Sequence, residues 1–293
     1  MAVMDAVHDR RAIDTQGLGC LAARPLIRAM ASLLITRADD FGSFPEANRA
    51  ILACLDAGAL RNVSVQAPTP WFASGAPALA ATDACIGLHL SITCEWEQPR
   101  WGPVSDPSTV ASLVDDDGMF FADPMVPFRR GLVLDEIMRE AAAQLAAARA
   151  AGLDVRYVDE HMGVGWLHGP HGGPRLHERL RAWARSEGLL YHEDVAPMAN
   201  DFMARVAPPR RPAEVAAALV GLPTGPWLMI LHPAESTGVI AASRLRGGGA
   251  AGDVARDRAL DAALLRDAGF VAALRTGAVR AATYVEAGGD TRR

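Results

Sequence analysis

The sequence lacks the glycine-rich loops by which many α/β proteins hold nucleotides. No Gly-x-Gly-x-x-Gly follows the first predicted strand, and no Gly-x-x-x-x-Gly-Lys-Ser/Thr occurs anywhere. The usual dinucleotide and phosphate loops are therefore excluded. No serine or cysteine stands in a Gly-x-Ser-x-Gly elbow, so a mechanism based on such a nucleophile has little support.

Cysteine is scarce as well, and so are long apolar runs. The four cysteines, at positions 20, 54, 85 and 94, show neither Cys-x-x-Cys spacing nor a framework pattern. We expect buried, reduced thiols. No uninterrupted apolar run reaches the roughly 18 residues of a membrane span. A net charge of -5 and a pI of about 5.9 argue against nucleic acid or an anionic membrane as the main partner.

The composition is that of a globular protein with a sizeable core. Of 293 residues, 50% are hydrophobic and 22% are charged. The first 29 residues have scattered charges, no apolar core of a signal peptide and no small-residue cleavage site. We predict a flexible extension over residues 1–29, with a start codon assigned too far upstream as the alternative, followed by one domain over residues 30–288. The default location is the cytoplasm.

Short apolar segments alternate with longer helical patterns along the domain. Strands are predicted at Leu33–Thr36, Asn62–Gln66, Cys85–Thr93, Val155–His161, Leu189–His192, Trp227–Pro233 and Ala281–Val285. Helices are predicted from Pro45 to Gly58, Asp135–Ala151, from Pro174 to Gly188, Pro212–Val220 and Val254–Asp267. This alternation predicts an α/β fold with a largely parallel sheet. It does not by itself distinguish an open doubly wound sheet from a barrel.

Polar residues collect at the predicted strand ends, where parallel α/β enzymes carry their catalytic groups. They are Asp39 and Asp40 after the first strand, His89 in the third, Asp159 and His161 at the fourth, and His232 after "WLMIL". Each alone has an ordinary structural explanation, such as a hydrogen-bonded core histidine or a capping aspartate. Their coincidence at one edge of the sheet favours a site.

Carboxylate and imidazole together are a ligand set for zinc and similar divalent ions. A buried carboxylate must be paired or bound to metal. One aspartate and two histidines from three strands would leave coordination positions open for water and substrate. The second aspartate could then act as general base, and His232 could protonate the leaving group.

Four motifs carry a resemblance to a known family: "TRADDFG", "IGLHLSIT", "YVDEH" and "LHP". In their order and spacing, from Leu33 to Glu286, the chain resembles the YdjC/ChbG-type (ChbG/HpnK-like) carbohydrate deacetylases. These are metal-dependent (β/α)-barrel enzymes that remove N-acetyl groups from sugars. The resemblance implies a TIM-like (β/α) barrel, either regular or an irregular, seven-stranded variant, over residues 30–288.

The resemblance also implies roles for individual residues. Asp40, His89 and His161 match the metal ligands, Asp39 matches the catalytic base, and His232 matches the general acid. Asp159 is expected to orient His161. Further supporting or substrate-binding residues are expected at Arg37, Thr93 and Arg258, the last on a helix where Asp261 replaces the family's glutamate.

Some positions depart from the family pattern. Arg37 stands where asparagine is usual, and Gly163 and Gly165 stand where further histidines are common. His168 and His171 either fill the same space or lie in a glycine-rich loop. Tyr191 and His192 stand where an arginine is often found. These departures point to a changed substrate without removing an expected metal ligand.

The sequence therefore predicts a metal-dependent hydrolase that removes an N-acetyl group from an amino sugar, oligosaccharide or glycoconjugate. One divalent ion is expected, zinc or magnesium first, with manganese, nickel or cobalt as alternatives. A barrel hydrolase of another amide, an ester or a phosphate is the first alternative function, and a non-catalytic, metal-containing ligand-binding protein is the second. The expected partner is a small-molecule carbohydrate, with no nucleic acid, and the family is compatible with a homodimer.

Overall fold

The computed structural model describes residues 32–169, 172–198, 212–276 and 279–289. The expected extension over residues 1–29, and His171, lie outside these ranges. The strands are β1 (Ser32–Phe41), β2 (Asn62–Val65), β3 (Cys85–Leu90), β4 (Val155–Glu160), β5 (Leu190–Tyr191), β6 (Pro226–Leu231) and β7 (Val279–Ala282). The helices are α1 (Pro45–Ala57), α2 (Phe72–Ala80), α3 (Met125–Arg129), α4 (Leu134–Ala150), α5 (Leu176–Ser186), α6 (Pro212–Val220), α7 (Gly238–Ala242), α8 (Asp253–Arg266), α9 (Ala268–Thr276) and α10 (Tyr284–Gly288).

All strand pairs of the sheet are parallel. Six of the seven strands follow the order β5-β4-β3-β2-β1-β6, and the seventh, β7, pairs with β1. The sheet curls into a half-barrel with flanking helices, which is an irregular (β/α) barrel. The predicted α/β class and the irregular, seven-stranded barrel are confirmed.

Strand β1 pairs with three other strands of the sheet. Its first residues, Ser32–Ile35, pair with β7, and its last, Arg37–Phe41, pair with β2. Residues Leu33–Ala38 pair with β6 on the other side. The sequence predicted that this strand ends at Thr36, which is wrong. The polar residues that follow are buried and find partners inside the barrel, so the strand continues through them.

The segment that follows β5 reaches the other edge of the sheet. Met198 forms an isolated parallel bridge with Leu228 of β6. The backbone N–H of Leu228 donates to the carbonyl of Pro197 at 2.9 Å. Within the described residues, this contact brings the strand edges formed by β5 and β6 towards each other.

Two apolar clusters hold the fold together. The larger one lies between the sheet and the helices, for example at Ile51 and Cys54 of α1. The smaller one contains Ile35, Tyr157, Leu228 and Tyr284 from the strands and the last helix. The rings of Tyr157 and Tyr284 are stacked with centroids 4.0 Å apart. This second cluster lies on the same strand faces as the polar residues described below, because alternate residues of a strand share a face.

Sequence patterns missed five helices of the described residues, the longer α2 and α9 and the five-residue α3, α7 and α10. Helix α2 contains Gly75 and Pro77, which are poor helix residues, and tertiary packing of Phe72, Ala76 and Leu79 outweighs this. The section from Glu95 to Arg130 is largely irregular, and three of its aromatic residues, Trp96, Trp101 and Phe120, are buried. Among the helices of the described residues, none is both long and apolar enough to cross a membrane.

Candidate active site

Asp39 and Asp40 are adjacent residues near the C-terminal end of β1. Consecutive side chains of a regular strand point to opposite faces. Here the register with β2 shifts between Ala38 and Phe41, and Asp40 has a φ of 68°. This left-handed conformation is one that aspartate accepts more readily than most residues. Asp39 and Asp40 therefore both reach the same site, which an unbroken strand would not allow.

Asp40, His89 and His161 form a compact group of potential metal ligands. Oδ1 of Asp40 lies 3.6 Å from Nε2 of His89 and 3.3 Å from Nδ1 of His161. The two ring nitrogens lie 3.3 Å apart. Three atoms held about 2.1 Å from one zinc ion at tetrahedral angles would lie about 3.4 Å apart. The donor set and its spacing therefore fit one divalent ion, and all three residues are buried.

A carboxylate contacts the second ring nitrogen of each histidine. Asp159 accepts from Nδ1 of His89 through Oδ1, and Glu95 lies 3.0 Å from Nε2 of His161 through Oε2. Such partners fix the tautomer and the ring orientation of metal-binding histidines. The expectation that Asp159 orients His161 is wrong. Asp159 pairs with His89 because His89 and Asp159 are register partners on β3 and β4, whereas His161 lies beyond the end of β4.

The carboxylate of Asp40 has two further partners. Nη2 of Arg258 donates to Oδ2 at 2.5 Å, and Nε2 of Gln66 donates to Oδ1 at 2.8 Å. Arg258 was expected near the site, and helix α8 places it there. The guanidinium also lies over the ring of Trp96, at 5.7 Å from its centroid. These contacts fix Asp40 so that Oδ1 faces the two histidines.

Asp39 is held by a different arginine. Nε and Nη2 of Arg37 donate to the two carboxylate oxygens of Asp39 at 2.6 and 2.7 Å. Asp39, His89 and Asp159 also form a second group with metal-ligand spacing. That group fits an ion less well, because Arg37 already forms ion pairs with Asp39 and Asp159 and because Nδ1 of His89 is engaged with Asp159.

Opposing effects set the charges of these residues. Burial would raise the pKa of Asp40, but Arg258 and His161 hold it well below its usual range. Burial would lower the pKa of His161, but Glu95 and Asp40 raise it to about 10. In the same way, Asp39 and Asp159 raise the pKa of His89 despite its burial. The surroundings of each histidine thus favour positive charge, which also favours the binding of a cation in place of a proton.

His232 does not belong to the metal-type group, which consists of Asp40, His89 and His161, but it lines the same cleft. It follows β6, and its backbone N–H donates to Oδ2 of Asp261 at 2.9 Å. Asp261, the shortened acid of helix α8, therefore fixes the loop that carries His232. Burial lowers the pKa of His232, and Asp40 and Asp39 oppose this effect.

The cleft has a volume of about 710 Å³. Arg37, Asp39, Asp40, His89, His161, His232 and Arg258 all line it. At another part of the wall, Glu160 accepts from the hydroxyl of Tyr191 and lies 2.9 Å from Nε2 of His192. Tyr191 and His192, which stand where the family often has an arginine, thus both contact the buried carboxylate of Glu160.

Two expected site residues, Asp159 and Thr93, are not among the residues that line the cleft, although Asp159 contacts the site through His89. The side chain of Thr93 is fully buried, and its hydroxyl has no hydrogen-bond partner within the described residues. Of the two roles expected for Thr93, supporting or substrate-binding, the second is therefore corrected. His168 also lies off the cleft, where its ring packs against Phe128 at 5.0 Å between centroids.

Sequence reasoning missed three residues that shape the site: Gln66, Glu95 and Tyr284. Gln66 ends a predicted strand, and Glu95 follows "IGLHLSIT" by two residues. For these two, proximity to recognised motifs was an available signal. Tyr284, whose hydroxyl accepts from Nη1 of Arg37 at 3.1 Å, comes from the far end of the chain and offers no such signal.

Comparison with known proteins identifies the family to which the matched part of the chain is related. Residues 33–171 match the family model of YdjC-like proteins. This segment is YdjC-like. It contains Asp39, Asp40, His89, Asp159 and His161, and the expected family resemblance is confirmed.

Curated relatives of the YdjC-like segment are carbohydrate deacetylases. The chain is 28% identical to that of Enterococcus faecalis over 133 residues, which cover 45% of this chain and 48% of the relative. It is 33% identical to that of Thermus thermophilus over 132 residues, which cover 45% of this chain and 44% of the relative. The chain thus spans about half the length of the curated relatives it matches.

A solved structure extends the likeness to the whole fold. A candidate cellobiose-phosphate cleavage protein of Enterococcus faecalis matches with a TM-score of 0.69 and 19% sequence identity. The match covers 87% of this chain and 98% of that chain. The YdjC-like segment and the strands and helices beyond it therefore form a fold that is already known.

Proposed function

We propose that this protein is a metal-dependent amide hydrolase that removes the N-acetyl group of an amino sugar or an oligosaccharide. The observation that carries the proposal is the group of three ligand atoms, 3.3 to 3.6 Å apart, beside a second carboxylate in an open cleft. The relatedness of the YdjC-like segment to carbohydrate deacetylases supports the sugar substrate.

Asp40, His89 and His161 would hold the ion. A divalent ion bound there would polarise the amide carbonyl and make water a stronger nucleophile. Two imidazoles and one carboxylate suit zinc, and magnesium is the first alternative among other divalent ions. The remaining residues bind the substrate and move protons.

Asp39 is the proposed base. Its Oδ2 lies 4.0 Å from Nε2 of His89. Asp39 is thus close to the proposed ligand atoms but is not itself one of the three proposed ligands. Its carboxylate accepts a proton as the water oxygen attacks the acetyl carbon. His232 is the proposed acid, which gives a proton to the amine nitrogen as the carbon–nitrogen bond breaks. The proton that Asp39 accepts balances the proton that the amine gains, and acetate and the free amino sugar are released.

The cleft is suited to a small carbohydrate. A volume of about 710 Å³ lies within the range of small-molecule sites. Its wall combines Trp166 and Met162, which are partly exposed apolar surfaces, with hydrogen-bonding groups such as Glu160 and His192. Sugars need both kinds of surface, since their rings have apolar faces and polar edges. The expected homodimer and cytoplasmic location remain predictions.

Acetate release from a panel of N-acetylated mono- and oligosaccharides tests the proposal. The wild-type protein loaded with zinc or magnesium is expected to release acetate, and Asp39→Asn is expected to lower kcat by about 100-fold or more. Asp56→Asn, at an exposed aspartate of α1, is the matched control and should be as active as the wild type. Equal activity of Asp39→Asn and Asp56→Asn would refute the assigned base.

The same panel separates the alternatives. Turnover of an ester, another amide or a phosphate without acetate release would indicate a barrel hydrolase of different specificity. Metal retention that is lost in His89→Ala, with no turnover of any substrate, would indicate a non-catalytic ligand-binding protein.

A further inference from the structure

Arg37 is a buried cation at the centre of a polar network in the barrel interior. Only 2% of its surface is exposed. Its Nε and Nη2 hold Asp39, as described above, and its Nη1 lies 3.0 Å from Oδ2 of Asp159. The hydroxyl of Tyr284 is a third partner of the guanidinium. One side chain thus contacts residues from β1, β4 and the start of α10.

The network continues from Arg37 to a metal ligand. Asp159, held by Arg37 through Oδ2, uses its other oxygen to accept from Nδ1 of His89. Ser64 donates to Oδ2 of Asp159 at 2.6 Å and fixes it further. The path Asp39–Arg37–Asp159–His89 therefore connects the proposed base to the proposed ion without a gap.

These contacts depend on the shape of the Arg37 guanidinium as well as on its charge. A guanidinium offers five donors in a fixed plane, so two of them can bind Asp39 while a third binds Asp159. Lysine has a single ammonium group without this planar fork, and asparagine has neither the charge nor the length. Because Arg37 and Asp39 share a strand face two residues apart, the fork sets the direction in which the Asp39 carboxylate points.

We propose that Arg37 is a positioning residue that holds Asp39 and the Asp159–His89 pair as one rigid unit, so that the base and the metal site keep a fixed mutual geometry. This proposal rests on the proposed function for the role of Asp39. Its other half, the support of His89, concerns metal affinity and is independent of any substrate.

Arg37→Lys tests both halves, with Arg61→Lys as the matched control, since Arg61 is a surface arginine whose nearest acidic partner is Glu286 at 3.7 Å. We expect Arg37→Lys to lower kcat by about 100-fold, with KM changed less than about threefold, because a misplacement of about 1 Å has this effect. We expect its metal affinity, measured by isothermal titration, to fall by about tenfold. Arg61→Lys should match the wild type in both measurements.

A double-mutant cycle on metal affinity then tests the path through Asp159. If Arg37 supports His89 through Asp159, adding Arg37→Lys to Asp159→Asn should reduce metal affinity less than about twofold further. Additive losses would overturn the path. Wild-type metal affinity and wild-type kcat in Arg37→Lys would overturn the proposal as a whole and leave Arg37 a charge-balancing residue.

Two further outcomes are distinguishable. If Arg37→Lys does not fold, Arg37→Gln combined with Asp159→Asn keeps the net charge of the network, and we expect a kcat about tenfold below that of Asp159→Asn alone. Equal kcat values would overturn the proposal. If the wild type hydrolyses no N-acetyl sugar, the proposed function fails, whereas the metal-affinity measurements still decide whether Arg37 supports His89.

Discussion

At the scale of single residues, the site depends on partners that are not themselves ligands. Each histidine of the metal-type group has a carboxylate on its second ring nitrogen, and Asp40 has an arginine and an amide. Such contacts leave each ligand with a single free direction, so the three ligand atoms can converge. Changes at the partners should therefore weaken metal binding while the ligands stay intact.

Glu95→Ala tests this expectation. Loss of the carboxylate at Nε2 frees the ring of His161, and we expect metal affinity to fall by about 10- to 100-fold. Glu97→Ala, two residues away on the exposed side of the same segment, is the control. Isothermal titration of both variants measures the difference, and equal affinities would show that Glu95 does not support His161.

Gly87 has a purely steric role. A Cβ at this position of β3 would lie 2.1 Å from the ring of Tyr157. We expect Gly87→Ala to lower the free energy of unfolding by about 1–3 kcal/mol, because the stacked tyrosines must move. Gly247→Ala, where no atom lies within 4 Å of the added Cβ, should leave stability nearly unchanged. Urea denaturation measures both, and a fully stable Gly87→Ala would contradict the steric argument.

At the scale of elements, loops are anchored by single polar side chains as well as by apolar contacts. In the turn "DDDG", Asp115 accepts from the backbone N–H groups of Asp117 and Met119 at 3.1 Å and pairs with Arg100. The turn thus closes on its own first aspartate, with an arginine as the counter-charge. This arrangement stabilises the irregular section between β3 and α4.

The stability that Asp115 provides should depend on pH. Burial would raise the pKa of Asp115, but the backbone N–H of Met119 and Arg100 lower it. A carboxylate with a lowered folded-state pKa stabilises the fold above its unfolded-state pKa and loses this effect as the pH falls through the folded-state value. Asp115→Asn should therefore be about 1 kcal/mol less stable than the wild type at pH 7.

Thermal unfolding at several pH values measures this difference, which should shrink as the pH falls below the ordinary pKa of aspartate, about 3.9. Asp116→Asn, at the exposed neighbour, should equal the wild type throughout. A deficit in Asp115→Asn that is the same at all pH values would contradict the electrostatic explanation.

At the scale of the whole molecule, the ligand atoms come from the ends of three separate strands. Asp40 belongs to β1, His89 to β3, and His161 follows β4. A bound ion would connect these strand ends, and it would stabilise the folded state but not the unfolded state. With the ion at about 100 times its dissociation constant, we expect a stabilisation of about 2.7 kcal/mol. Chelator treatment should lower the melting temperature accordingly, and His89→Ala should remove the effect of the chelator.

The sequence predicts the parts of this molecule that depend on local pattern. The ends of the parallel strands, with Asp39, Asp40, His89 and His161, follow from short apolar runs and their polar neighbours. Partnerships depend on distant contacts and could not be predicted in this way. Asp159 pairs with His89 and not with His161, and Arg37 contacts Tyr284, 247 positions away. Thr93 was misjudged because its motif does not indicate where its side chain points.

The pairing of β1 has a consequence for the way this chain is made. Strand β1 pairs with β2 as well, but its hydrogen bonds are complete only when β6 and β7, which end at Leu231 and Ala282, have also been synthesised. At ordinary rates of translation, roughly 10–50 s separate the synthesis of these segments. During that time one edge of β1 lacks its hydrogen-bond partners. The barrel can therefore be completed only late in synthesis. Chaperones that bind β1 until β7 has been synthesised should increase the yield of folded protein.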